Sequence, residues 1–213
     1  MLGAGGHARV LQEILSEVGF ELHGFVAPRD TESQLGLKAD GDEVAWLGAD
    51  DNLLEFAPAE HLLVNGLGSA GSLAVRTSVY AKFRKAGFKF LQVEASTSMV
   101  SRTASLHEGV QVLHGAIVHV DALINENTII NTGAIIEHGV VVGANAHVSV
   151  GSVICGDVTI GNSTHIGAGA TVIQGIEIGE NCIIGAGAVV IRDVPDNHMA
   201  IGVPAQNRPI GVK

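Results

Sequence analysis

The sequence predicts a small α/β domain followed by a parallel β-solenoid, and two observations carry that prediction. The first is a repeat. Sixteen consecutive six-residue steps, from Val100 to Val190, each open on a branched aliphatic residue (Val100, Leu106, Val112, Val118, Ile124, Ile130, Ile136, Val142, Val148, Ile154 and onward). The fifth position of each step is small or modest, as at Ala104, Val110, Ala116, Ala122, Thr128 and Ala134. An amphipathic helix repeats every 3.6 residues and a half-buried strand every two. A period of six suits short strands joined by tight corners, and many of the 28 glycines lie where such corners would fall. The second observation is that the first ninety or so residues alternate short apolar runs with helical patterns, the signature of a small parallel sheet.

The elements of the first part follow in order. Gly3-Ala4-Gly5-Gly6-His7-Ala8 opens an amphipathic run with Val10, Leu11, Ile14, Leu15 and Val18 on one face, stopped by Gly19. Residues 22–26 and 62–64 read as strands, with a short helix expected over 49–56. Helical spacing of Val79, Tyr80 and Phe83 predicts a helix over 72–86 that ends at Gly87, and 88–93 reads as a last strand. Only Met1 and Leu2 precede the glycine loop, where a strand of about five residues is typical, so the start is expected to lie inside a longer element. Domains are placed at 1–94, a small α/β (Rossmann-like) domain, at 95–194, the solenoid, and at 195–213, a capping tail. Proline at 195 and 204 cannot join a central ladder, which places that tail at the solenoid's end. Three steps per coil give a little over five coils.

Composition narrows the function. The net charge is −10 without a basic stripe, which argues against nucleic acid. No apolar run approaches the roughly 20 residues of a membrane span, and no signal peptide is visible, so a soluble cytoplasmic protein is expected. Cys155 and Cys182 sit at different positions of their steps, which predicts neither a bridge nor a metal pair.

Two places carry chemistry. Gly3-x-Gly5-x-x-Ala8 is a relaxed dinucleotide fingerprint at a helix start, where backbone N–H groups and the helix dipole favour phosphate. Ninety residues supply too small a sheet for full NAD binding, so a smaller nucleotide-bearing ligand is expected. The solenoid holds His107, His114, His119, His138, His147 and His165, none at the first or fifth position of its step. All are therefore expected to point outward or toward a neighbouring subunit, with His147 and His165 stacked on one wall. His138, preceded by Asn131-Thr132-Gly133 and Glu137, suits a general base, because a neutral imidazole accepts a proton near pH 7. His114 and His119 with a third histidine would instead make a zinc site of the kind a β-solenoid carbonic anhydrase carries. A non-catalytic scaffold is a third reading.

The repeat, Gly3-Ala4-Gly5-Gly6-His7-Ala8-Arg9-Val10, Asn131-Thr132-Gly133 through Glu137-His138, and Gly202-Val203-Pro204-Ala205 together resemble the bacterial sugar acyltransferases. That family includes sialic acid O-acetyltransferases and N-acetyltransferases of nucleotide-linked 4-amino sugars. The resemblance implies a left-handed β-helix, a homotrimer with active sites between subunits, and acetyl-CoA as co-substrate without a metal. It implies His138 as general base with Glu137 beside it, and Gly5, Gly6, His7, Asn131 and His147 as substrate-binding residues. Gly156, with an N–H for the acetyl carbonyl, His165 and Gly167 would bind acetyl-CoA. The implied reaction is direct N-acetylation of a nucleotide-linked amino sugar, with O-acetylation of sialic acid or a related free sugar as the alternative. Family members often carry Asp or Glu directly after the histidine. Gly139 stands there, so Glu137 or a group from the next subunit is expected to orient the ring. An acidic pair that often ends the second strand is also missing; Ala27-Pro28 follows Val26, and Asp30 is the nearest acid.

Overall fold

The computed structural model describes residues 1–28, 38–39, 42–69 and 72–211. They form two compact units, Met1–Ser96 and Thr97–Lys213.

In the first unit, extended segments at 45–47, 25–26, 1–3, 62–65 and 89–91 lie side by side in that order, all parallel. Numbered along the chain, this is the order 3-2-1-4-5 of a doubly wound sheet. Helix α1 (Gly6–Glu17) buries Ala8, Leu11, Ile14 and Leu15, and Gly19 at φ +83° ends it by donating to the Ser16 carbonyl. Val18 stays exposed, outside the apolar stripe expected for it. Helix α2 (Ala74–Lys85) buries Tyr80 and Phe83. The Tyr80 and Phe90 rings lie 4.6 Å apart, and Phe83 meets Phe88 edge-on. The segment expected as a short helix over 49–56 is a 3-10 helix, Asp50–Glu55, with the Asn52 side chain accepting from the Ala49 N–H at its start. Asp30 lies outside the described residues.

In the second unit, two-residue strands alternate with four-residue corners and pair in parallel at a spacing of eighteen residues, as Ile117 with Ile135 and Ile135 with Val153. Three walls result. The first runs from Met99–Val100 to Val189–Val190, the second from Ser105–Leu106 to Glu177–Ile178, and the third from Gln111–Val112 to Ile183–Ile184. The tail adds His198–Ile201 to the third wall, and Gln206–Pro209 folds back antiparallel on it.

First and fifth positions fill the interior. Ile136, Ile154, Ile166, Ala134 and Ala170 are fully buried, each large side chain contributing about 2–3 kcal/mol of hydrophobic stabilisation. Two polar interior residues have a backbone task. Thr128 Oγ1 donates to the Gly143 carbonyl (2.8 Å) and accepts from the Ala146 N–H (3.2 Å). Thr164 repeats the arrangement two coils on, with Gly179 and Cys182. Corners pass through the left-handed region, occupied by glycine or by Asp121, Asn127, Asn145, Asp157, Ser163 and Asn181. Asp and Asn tolerate that conformation better than other side chains.

Candidate active site

The order 3-2-1-4-5 puts a topological switch point between segments 1–3 and 62–65, where a parallel sheet opens a crevice at its carboxyl edge. Two loops border it. The first, 3–7, turns at Gly3 (φ +86°) into α1. Gly5 and Gly6 are exposed at the helix start, with open space where a side chain would stand and no side-chain cap. Backbone N–H groups at such a helix start suit an anion. The second loop, 65–69, follows the fourth segment, and Gly68 faces the Cβ of His7.

Arg76 shapes the second loop from below. Its guanidinium is buried and donates to the carbonyls of Asn65 (2.8 Å) and Leu67 (2.7 Å), while Asn65 Nδ2 donates back to the Arg76 carbonyl (3.2 Å). Burial lowers the Arg76 pKa to about 9. Sequence reasoning found the first loop and missed the second with its arginine. The available signal was Gly66 and Gly68 directly after a strand.

In the solenoid, the proposed residues fall into two groups. Glu137, His138 and Gly156 sit at the corner between the first and second walls. The His138 side chain is 58% exposed, and its ring lies so close to Gly156 that a Cβ there would overlap it. Among the described residues the Gly156 N–H has no hydrogen-bond acceptor. Glu137 faces His119, with Oε1 3.8 Å from Nε2. The carboxylate beside His138 is Asp157, whose Oδ1 lies 3.8 Å from Nδ1.

The second group lies along the third wall and the corner that follows it. Asn131 Oδ1 accepts from the Thr132 N–H (2.8 Å), which turns its amide nitrogen toward His147 Nε2 at 2.9 Å. His147 Nε2 is therefore the acceptor and Nδ1 carries the proton. The ring stacks edge-on against His165 at 5.1 Å between centroids, and Ser149 Oγ lies 3.4 Å from His165 Nε2. Burial lowers the pKa of His165 and favours its neutral form. His147 was expected to point outward or toward a neighbouring subunit. It occupies an outward position but is only 7% exposed, with Asn131 and His165 packed against it. The Gly167 N–H donates to the Ile184 carbonyl in the coil ladder, so its backbone is already engaged.

The histidines weighed as metal ligands have other neighbours. His114 Nδ1 is 2.9 Å from Thr97 Oγ1, and His119 faces Glu137. Among the described residues no three His, Cys, Asp or Glu side chains converge as a metal requires. Cys155 and Cys182 are free thiols. Among the described residues no helix is long and apolar enough to cross a membrane.

The comparisons agree with this architecture. Residues 1–83 match the PglD N-terminal domain, and residues 157–192 match the bacterial transferase hexapeptide repeat. No curated protein matches. Among solved structures, PerB from Caulobacter crescentus, in complex with CoA and GDP-perosamine, is 34% identical with a TM-score of 0.85, covering 97% of this chain and 95% of that one. The acetyltransferase domain of PglB from Neisseria gonorrhoeae, in complex with acetyl coenzyme A, is 27% identical with a TM-score of 0.87, covering 97% of each. A histidine-to-asparagine mutant of perosamine N-acetyltransferase from Caulobacter crescentus, in complex with CoA and GDP-perosamine, is 31% identical with a TM-score of 0.74, covering 97% and 94%. The fold and its two sites define an acyltransferase built on a left-handed β-helix. The chain belongs to the bacterial hexapeptide-repeat sugar acyltransferases that carry a PglD-type N-terminal domain.

Proposed function

We propose that this protein transfers the acetyl group of acetyl-CoA to the amine of a nucleotide-linked amino sugar, with His138 as general base. One observation carries the reading: the exposed His138 ring lies against Gly156, whose N–H has no hydrogen-bond acceptor among the described residues. A base and a donor thus share one corner. The relatives support the substrates, since PerB holds CoA and GDP-perosamine and the PglB domain holds acetyl coenzyme A.

The acceptor amine attacks the thioester carbonyl, and a C–N bond forms as the C–S bond breaks. His138 takes the proton the amine loses, and the Gly156 N–H stabilises the oxyanion. The CoA thiolate leaves and is protonated. No acyl-enzyme is required, and neither cysteine has a role. In the first unit, the N–H groups at Gly5 and Gly6 would hold the phosphates, with His7 beside them.

A homotrimer is part of the proposal. His138 and the Asn131–His147–His165 row lie on different faces of one solenoid, so a pocket using both needs two protomers. Ile117, Ile135, Val153 and Val189 give the first wall a half-buried apolar outer face that a neighbour would cover. The cytoplasm, where acetyl-CoA and nucleotide sugars are made, is the proposed compartment.

The test is thiol release from acetyl-CoA against UDP-, GDP- and dTDP-linked amino sugars and free sialic acid. Turnover on an amino sugar that drops by roughly 10²–10⁴ in His138→Ala is the expected result. Turnover on sialic acid alone would move the reaction to O-transfer, and full activity in the variant would remove His138 as the base.

A further inference from the structure

The corner beside His138 has a glycine next in sequence, at 139, and a carboxylate one coil away, at Asp157. Left-handed corner residues stack at the eighteen-residue coil spacing, and in this column they read Asp121, Gly139, Asp157 and Gly175. Asp157 tips toward the coil below. Its N–H donates to the His138 carbonyl (2.9 Å), and its Oδ1 lies 3.8 Å from His138 Nδ1. That oxygen also fills the space above Gly139, where an added Cβ would overlap it. Gly139 itself lies in the left-handed region (φ +67°), and the tip of the exposed Asp157 side chain rests over it. Glu137 faces His119 on the neighbouring column.

We propose that Asp157 is the positioning residue of the acetyl-transfer base, doing from the next coil what a carboxylate adjacent in sequence would do from position 139. This rests on the reading of His138 as the base. A carboxylate on the Nδ1 side favours the Nδ1–H tautomer, which leaves the Nε2 lone pair to receive the proton of the acceptor. The pair is exposed, with side chains 58% and 74% accessible, so it adds little to stability and its effect falls on ring orientation.

Three variants test it. Asp157→Gly removes the carboxylate and leaves the corner unstrained, since glycine already occupies eight such corners in the repeat. It should lower kcat by roughly 10–100-fold with the KM for acetyl-CoA unchanged. Gly139→Asp alone should be slower than the wild type, because a second carboxylate beside Asp157 repels it and pushes it off the ring. The exchange variant, Gly139→Asp with Asp157→Gly, should recover most of the lost kcat, because one carboxylate again stands beside the ring and left-handed Asp is tolerated, as at Asp121 (φ 59°). Wild-type kcat in Asp157→Gly overturns the proposal, and so does an exchange variant that folds with an unchanged Tm yet stays as slow as Asp157→Gly. Imidazole ¹⁵N shifts give a readout independent of turnover. His138 should be the Nδ1–H tautomer in the wild type and the exchange variant, and shift toward Nε2–H in Asp157→Gly. An unchanged tautomer overturns the positioning role even if no acceptor is found. The expected tautomer shift without turnover on any acceptor would leave Asp157 in place and count against the acetyl-transfer reading.

Discussion

Replacing Gly156 by alanine should cost activity far more than stability, and the geometry fixes the size of the effect. A Cβ at 156 would stand 2.5 Å from His138 Nε2 and 3.1 Å from Nδ1, while ordinary contact begins at 3.4 Å. The ring must move by about 1 Å, a displacement that costs on the order of 10²-fold when it affects reacting groups. Little else changes. The His138 side chain is 58% exposed and can swing outward without opening a cavity, so Tm should stay within about 2 °C of the wild type. Alanine keeps the backbone N–H, so loss of the oxyanion donor cannot explain a slow variant. The assay is steady-state thiol release at saturating acetyl-CoA, beside a thermal melt. A Gly156→Ala enzyme with wild-type kcat would refute the argument, because the base would then not be the ring that leans on Gly156.

Three further outcomes follow from the buried polar groups. Arg76→Met leaves the carbonyls of Asn65 and Leu67 without their donor, so the N-terminal unit should lose about 3 kcal/mol in denaturant unfolding. The KM for the nucleotide sugar should rise as loop 65–69 loosens. Thr164→Val strands the Gly179 carbonyl and the Cys182 N–H inside the coil, and the solenoid's unfolding midpoint should fall by an amount equal to about 2 kcal/mol. His165 has its pKa lowered from 6.5 by burial, so below that value the unfolded chain binds the proton more readily than the folded one. Stability should therefore fall as pH drops through 6.5, and His165→Gln should lessen the loss between pH 7.5 and pH 5.5.

What the sequence reveals and what it hides divide along a physical line. Interior positions are legible because a coil that closes every eighteen residues sends the first and fifth residue of each step inward, whatever their partners. Ile136 and Ala134 are buried for that reason alone. The glycine loop is legible because glycines at a helix start leave its N–H groups open to a close-lying anion. Contacts between coils are harder to see. His147 points outward by register, but its burial depends on Asn131, sixteen residues earlier, and on His165, eighteen later. Glu137, chosen for its place beside His138 in sequence, faces His119 instead, because neighbouring residues at a corner belong to different columns.

Asp157 is the instructive case. Gly139 reads as a missing carboxylate when the chain is followed residue by residue. Followed coil by coil, position 139 stacks under position 157, and the arithmetic of the repeat already brings Asp157 to the base. In a solenoid the neighbour that matters is one coil away as often as one residue away. A side chain can therefore migrate between coils while the local chemistry is kept, provided the position it leaves becomes small. Gly139 and Asp157 meet that condition, which is why their two single substitutions should each be harmful and their combination benign.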